Sequence, residues 1–523
     1  MPARQRGIAL LGLLALISVM VIFAYVSGLN RSASGMASAR EQQTAIALSQ
    51  AKEALISYAV TYMDTHTNQV PGYLPCPDAG SVLGEGVTAG ICGSALVSQL
   101  GQLPWRTLGL DALKDGSGEC LWYAVSGTYK YNPNGLTVTN STTTSNMMNW
   151  DTNGQFRVMD ANGTTVLAGS SADNRAVAVI FAPGAPLSGQ GRTPDPNAPA
   201  CGGNYTAADY LETANGFNNS TLVTASSPPS VNDVSTFIAG ASSASFNDKL
   251  VFITRAEIWS AIKKRTDFNN HLRALTRRAA ECTAMYGNQN NSGSDYRLPW
   301  SEDVSLSTSS VPTYAVNAQY NDVSGTLAGR LSFKVNTSRN DTNNKISSSI
   351  SDYGTSSAYL FTPASPAPGS YCAYASEEKA WYDNWKDQLF YAVAGSYKPS
   401  ASWQWWYPLS CPTCLSINAS GDYAAVVIFA GEKLSSQTRN TASNKGSIAN
   451  YLEGRNASNY PNSGGNGNYQ AAAASGTFND IVYAIDSNLA VSCSDSSGVM
   501  RSPVTAPAAP PAPANLANYA ACP

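Results

Sequence analysis

Four segments of this 523-residue chain occur twice, in the same order. ECLWYAVSGTYK at 119–130 returns as DQLFYAVAGSYK at 387–398, and AVIFAPGAPLSGQGR at 178–192 returns, with one gap, as VVIFAGEKLSSQTR at 426–439. DYLETAN at 209–215 matches NYLEGRN at 450–456, and SFNDKLVFI at 245–253 matches TFNDIVYAI at 477–485. Collinear self-similarity of this kind is the trace of a duplicated module. Whatever one copy folds into, the chain must hold two. Charged residues are 13% of the chain against 43% hydrophobic, enough apolar material to bury real cores.

Within each copy the YAV, VIF and FND-x-apolar runs are β-branched or aromatic, of strand length, and bounded by Gly, Asn and Ser. A helix precedes each set. In AREQQTAIALSQAKEALISYAVTYM, Leu48, Ala51, Leu55, Tyr58 and Tyr62 recur at steps of three and four and make one apolar face. Before the second copy the pattern predicts a single helix over 256–286, opened by the capping box Thr254-x-x-Glu257 and stopped by Gly287. Its stripe is Ile258, Ile262, Leu272, Leu275, Ala279 and Cys282. A helix followed by several strands reads as an α+β head, the helix laid across an antiparallel sheet. The expected order is a first head over 68–255, a connecting helix over 256–286 and a second head over 287–490. An Ala/Pro-rich tail over 491–523 reads as an extended spacer. The Ser-, Thr-, Asn- and Gly-rich stretches 131–175 and 303–365 read as surface loops or extra hairpins.

The N-terminus adds a further constraint. Met1 to Gly7 carry Arg4 and Arg6 and no acid, and Ile8 to Val26 carry no charge. Nineteen helical residues span about 28 Å, close to the ~30 Å of a bilayer core. A transmembrane helix is therefore expected over 8–29, with an amphipathic helix over 30–67, weakened locally by Gly28 and Gly35. The basic leader would stay inside and the heads outside. A cleavable secretory signal ending at Ala37-Ser38-Ala39 is the competing reading.

The segment RQRG|IALLGLLALISV resembles the processing site of type IV prepilins and type II secretion pseudopilins. The series LPCPD, LPWRTLG, LWYAV, VAVIFAPG and FND looks like the globular part of bacterial pseudopilin-like proteins, over most of 68–255 and more loosely 287–486. The resemblance implies a leader over 1–7, cleavage after Gly7 by a prepilin peptidase, methylation of Ile8, and packing of the helix from Ile8 in a filament core. Its partners would be other pilin or pseudopilin subunits, the peptidase and the inner membrane. Its location would be single-pass in that membrane with periplasmic heads, then in a periplasmic or extracellular filament. The family usually has Glu as fifth mature residue, where this chain has Gly12. That departure, with the doubled head, resembles a minor subunit at the tip of a type IV pilus or secretion pseudopilus. The rival readings are a pilus-mounted adhesin and a single-pass envelope protein outside any filament.

Ten cysteines outside the cytoplasm suggest disulfides. Cys76–Cys92 would close the loop after LPCPD. Cys493–Cys522 would pin the tail, a C-terminal loop that also resembles the pilin pattern. Cys411-Pro-Thr-Cys414 lies in a loop and reads as a structural disulfide rather than a redox pair. With two histidines and no second CxxC, no metal site or cofactor is expected. The Asp/Asn runs at 320–325 and 338–344 read as ordinary turns.

No nucleophile elbow, phosphate loop or HExxH is present, so no catalytic residues are assigned and no enzyme is expected. The net charge of -3 argues against a nucleic-acid partner. Lys263, Lys264, Arg265, Arg273, Arg277 and Arg278 scatter around their helix as a solvated face would. The cluster Trp403, Trp405, Trp406 and Tyr407 is the candidate binding surface for an extracellular glycan or protein.

Overall fold

The computed structural model describes the chain from Gln5 except residues 81–82, 89, 132–146, 290–296, 308–313, 337–338, 341–344, 347–356, 361, 364–372, 375, 400–410, 505–515, 517–518 and 520–523. For residues 5–34 it describes the helical path and not the side chains.

Helix α1 runs unbroken from Gln5 to Thr65, through both Gly28 and Gly35. From Ala47 onward it buries Leu48, Ala51, Leu55 and Tyr62 of the stripe expected from the sequence, together with Ala59, while Tyr58 of that stripe is half-buried. Lys52 fastens the helix down, donating to the Phe252 carbonyl at 2.9 Å and pairing with Glu257 at 2.5 Å.

Among the described residues no helix is long and apolar enough to cross a membrane. The expected transmembrane helix over 8–29, and the single-pass inner-membrane location built on it, therefore do not stand. The described part of α1 carries Arg40, Glu41, Lys52, Glu53 and Asp64, and its apolar stripe is consumed by its own head, as in an amphipathic helix. Gly7, Ile8 and Gly12 lie where α1 has no described side chains.

The connecting helix is two helices, α2 (Arg255–Ile262) and α3 (Thr266–Gln289). The Thr254–Glu257 capping box opens α2 as expected. The turn at Lys263–Arg265 is held by ion pairs. The Arg265 guanidinium reaches both carboxylate oxygens of Asp64 at 2.6 and 2.8 Å, the Val60 carbonyl at 2.9 Å and Asp267 at 2.7 Å. It ties the end of α1 to the turn between the two helices. Gly287 does not stop α3.

The first sheet contains β1 (Gln99–Gln102), β2 (Trp122–Val125), β3 (Phe156–Met159), β4 (Val166–Ala168) and β5 (Ala176–Ala182) in the order β1-β2-β5-β3-β4. Lys249–Thr254 adds antiparallel to β5, and Ser235–Ile238 adds parallel to β3, so the sheet is mostly rather than wholly antiparallel. β3 and β4 form an antiparallel hairpin within 131–175, the stretch read as surface loops or extra hairpins, and join the main sheet. The second sheet follows the same path: Ala328–Arg330, Leu389–Val393, Ser420–Phe429, Ile481–Asp486 and then, beyond residue 490, Val491–Ser494 and Met500–Val504.

Register shows the copies to be closer than their strings. Tyr123 lies opposite Ile180 and Ile180 opposite Val251; Tyr391 lies opposite Val427 and Val427 opposite Tyr483. Ile180 therefore corresponds to Val427, and 176–192 aligns with 423–439 with no gap. Matching VIF to VIF by identity slips the strand by one residue, which exchanges its two faces. Details of the copies agree: Tyr123 Oη donates to Pro75 O at 3.2 Å and Tyr391 Oη to Pro299 O at 3.0 Å. Gly101 and Gly329 sit opposite those tyrosines, where a Cβ would strike the carbonyl of Asp78 or Glu302.

The two heads are not beads on a string. A single apolar core runs from α1 through Tyr123, Trp150, Trp259 and Phe268 to Trp385, Val427 and Tyr483. A separate cluster, Trp122, Phe156, Val179, Phe181, Tyr210 and Phe237, fills the far face of the first sheet. The tail also has something to bury: Leu516 is fully covered, and Tyr519 stacks under Arg277 and donates to Glu281 of α3.

Disulfides Cys76–Cys92 and Cys411–Cys414 form as expected. Cys120–Cys201, which joins β2 to the loop before Tyr210, was not anticipated. Cys493 is disulfide-bonded, as is Cys282; Cys522 lies outside the described residues.

Candidate functional site: the uncovered helix and the seam between the heads

Residues 35–46 of α1 are largely exposed, with Met36 60% and Ile46 51% exposed, and they touch the first head only along the side that carries Arg40, Gln43 and Thr44. Where the helix meets the first head, Gln43 donates to Asp115 O at 3.1 Å and Gly116 N donates to Thr44 at 2.9 Å. The Asp115 carboxylate caps its own turn through Ser117 N and Glu119 N and reaches Gly184 N at 2.8 Å. Gly116 is required here, because a Cβ would collide with the Arg40 backbone. At the other end, His66 stacks on Tyr62 at 3.9 Å and its Nδ1 lies 3.0 Å from the Tyr62 carbonyl, which also accepts from His66 N at 2.9 Å and from the Thr65 hydroxyl at 3.3 Å.

Each head contains the same buried polar knot, built from the repeated YLE, FND and Q-x-R segments. In the first, Glu212 accepts from Gln190 Nε2 at 2.7 Å and Asn247 N at 2.9 Å, while Asp248 accepts from Glu212 N at 3.0 Å and Asn219 Nδ2 at 2.9 Å. In the second, Glu453 accepts from Gln437 Nε2 at 2.8 Å and Asn479 N at 3.1 Å, while Asp480 accepts from Glu453 N at 3.1 Å and Asn456 Nδ2 at 2.9 Å. Two carboxyl groups forced together out of water share a proton. Burial, then the neighbouring Glu212, pushes Asp248 up to about 8. Asp480 is driven well above the usual carboxylate range by burial and Glu453. The repeated motifs were the visible signal for these pairs.

The sign of the resulting pH dependence follows. An aspartate with a folded pKa above its unfolded value of about 3.9 carries an extra proton in the fold. That stabilisation is complete below about pH 4 and is lost as pH rises toward about 8. The melting temperature should therefore be lower at about pH 8.5 than at about pH 5. The double variant Asp248→Asn, Asp480→Asn, in which an amide replaces each shared proton, should lose most of that difference. Glu302, raised by burial to about 8, leaves a residue of it. An unchanged slope in the double variant would exclude the pairs as its source.

The arginine of the knot distinguishes the copies. Arg192 lies over Tyr210 at 4.7 Å, bonds Gly184 O and Gln190, and pairs with Glu119 of its own head at 3.1 Å. Arg439 lies over Tyr451 at 4.3 Å and bonds Gly431 O and Gln437 in the same way, but it crosses to Asp151 of the first head at 3.2 Å. Asp151 also accepts from Gln388 Nε2 at 2.7 Å. Burial opposes its charge, yet Arg439, Lys445 and Arg255 outweigh burial and hold the carboxyl below its usual range. Asp387 pairs with Lys445 at 3.0 Å and receives Asn149 Nδ2 at 3.2 Å; Asn149 also donates to Asn384 O at 2.8 Å. Beneath these bonds, Trp385 of α4 (Ser376–Trp385) meets Trp150 edge-on at 4.6 Å, with Trp259 at 5.7 Å and Phe268 at 5.8 Å. None of these seam residues was singled out from the sequence, although Trp381 and Trp385 stand one helical turn apart.

Of the six basic residues singled out from the sequence, Lys264 is exposed and the other five are engaged within the chain. Lys263 pairs with Glu432, Arg273 donates to Ser494 O, Arg277 pairs with Glu281, and Arg278 pairs with buried Glu378 at 2.5 Å. His271 is a packing residue, stacked on Trp381 and 3.2 Å from Glu377. Trp403, Trp405, Trp406 and Tyr407 lie outside the described residues. Among the described residues no group of three His, Cys, Asp or Glu is placed to hold a metal. No family model matches this chain, and neither does any curated protein or solved structure.

Proposed function

We propose that the chain is a non-catalytic structural subunit of the pilin-like kind, joining a filament through α1 and displaying the fused double head on its surface. The observation that carries this reading is the course of α1: helical and largely exposed over 35–46, touching its own head only through Arg40, Gln43 and Thr44, then packed along its stripe from Ala47. Helical stability in water comes mainly from packing a face of the helix, so a run of this length left largely exposed calls for a neighbour. The helix of an adjacent subunit supplies one. The resemblance of RQRG|IALLGLLALISV to a prepilin processing site supports the same reading. Gly12 and the doubled head favour a tip or initiating position, because a rigid double head would crowd a regular shaft. A type IV pilus and a type II secretion pseudopilus accommodate it equally.

Two measurements test this. The mature protein should begin at methylated Ile8, and only when the prepilin peptidase is present. A cysteine introduced as Met36→Cys should cross-link to a second filament subunit in intact cells. A start at Met1, together with no cross-link, would remove the filament reading.

A further inference from the structure

The seam opens into a cleft of about 260 Å³ that neither head could form alone. Met147, Asn149 and Asp151 of the first copy form one side; Tyr314, Thr441 and Ala442 of the second form the other. Asp151 is the informative member. Its side chain is 3% exposed, and its Oδ2 is taken by Gln388 and Arg439. Its Oδ1 is buried without a hydrogen-bond partner. An ionised carboxylate oxygen left bare costs free energy, so the cleft offers a strong acceptor that awaits a donor.

The surrounding charges narrow the class of donor. Every carboxylate at the cleft already has a cation: Asp151 has Arg439, Asp387 has Lys445, and Asp173 has Arg255 and Lys433. These four cations outnumber the three carboxylates, so no net negative field draws in an ammonium group, and each of the four is already held by a carboxylate rather than presented to an acid. What remains is one acceptor, polar groups at the rim and apolar surface from Met147, Tyr314 and Ala442. A sugar ring has that character, with hydroxyl donors at its edge and C–H groups on its face. The volume lies just below the roughly 300–1,000 Å³ of ordinary ligand sites, room for one ring rather than a chain.

The geometry points to this cleft as a binding site for a single neutral sugar residue of a glycan, one hydroxyl of which donates to Asp151 Oδ1. The site is independent of the filament reading: it needs only the two fused heads.

The test is calorimetric titration of the full chain with neutral hexoses, N-acetylhexosamines and their disaccharides at millimolar concentrations, with putrescine as the cationic control. At least one sugar should bind saturably, and putrescine should not. Asp151→Asn should weaken binding about tenfold or more, as expected for losing a charge-assisted hydrogen bond. Because that change also touches Arg439, the deciding variant is Ala442→Trp, at an exposed position on the rim. It should abolish binding while leaving the melting temperature in place. Failure of every sugar to bind, binding that survives Ala442→Trp, or saturable binding of putrescine alone would each overturn the assignment.

Discussion

Trp385→Ala should lower the unfolding free energy by about 3–5 kcal/mol, as for a large aromatic removed from a closed core. It should do so for both heads at once. Trp385 is fully buried and touches Trp150 of the first copy, Trp259 of α2, Phe268 of α3 and Phe429 of the second sheet. A cavity there removes contacts from both modules, which share one apolar core. Denaturant unfolding followed by near-UV and far-UV signals should show one coincident transition in the wild type, displaced as a unit in the variant. Trp122→Ala is the useful comparison, since Trp122 lies in the cluster confined to the first sheet. Two resolved transitions, only one of them shifted by Trp385→Ala, would show that the heads fold independently and that the seam is a loose contact.

Arg439→Ala should be similarly severe, about 3–5 kcal/mol, because it strands a buried partner charge. Arg439 is 1% exposed and Asp151 3%. Without the guanidinium, Asp151 keeps Gln388 and the field of Lys445 and Arg255 but loses its nearest cation. The carbonyls of Gly431 and Asn450 lose their donor as well. Arg192→Ala provides the internal control. It breaks the same knot in the first head, but its ion partner Glu119 is 20% exposed and can turn to water. The loss should therefore be clearly smaller. Equal losses at the two positions would mean that the cross-seam ion pair contributes nothing beyond the knot itself. Adding Asp151→Asn to Arg439→Ala should recover part of the loss by removing the stranded charge.

Much of each head was legible before any coordinates. The stripe Leu48, Ala51, Leu55, Tyr62 faces the core because a 3.6-residue period leaves a helix one way to bury it. The YAV, VIF and FND segments became paired strands because apolar runs bounded by turn residues have few other outcomes. Thr254 and Glu257 formed their capping box because its partners are three residues apart. The one-residue slip in VIF was not legible, since string identity cannot tell the two faces of a strand apart. Nor was the break between α2 and α3, where Asp64 meets Arg265 across 201 residues. The membrane reading of the first thirty residues does not stand, since among the described residues no helix is long and apolar enough to cross a membrane.

The sequence by itself determined that this chain holds two copies of one α+β module, which side of each helix is buried, and that the YLE and FND segments recur in both. Those properties are local or periodic, so residue order encodes them directly. Only the tertiary structure decided that the copies are fused into one body, that Arg439 serves the seam where Arg192 serves its own head, and that a polar cleft opens between them. Those depend on contacts such as Asn149 with Asp387, 238 residues apart. Nothing periodic marks such partners, because their meeting is set by how two finished sheets dock.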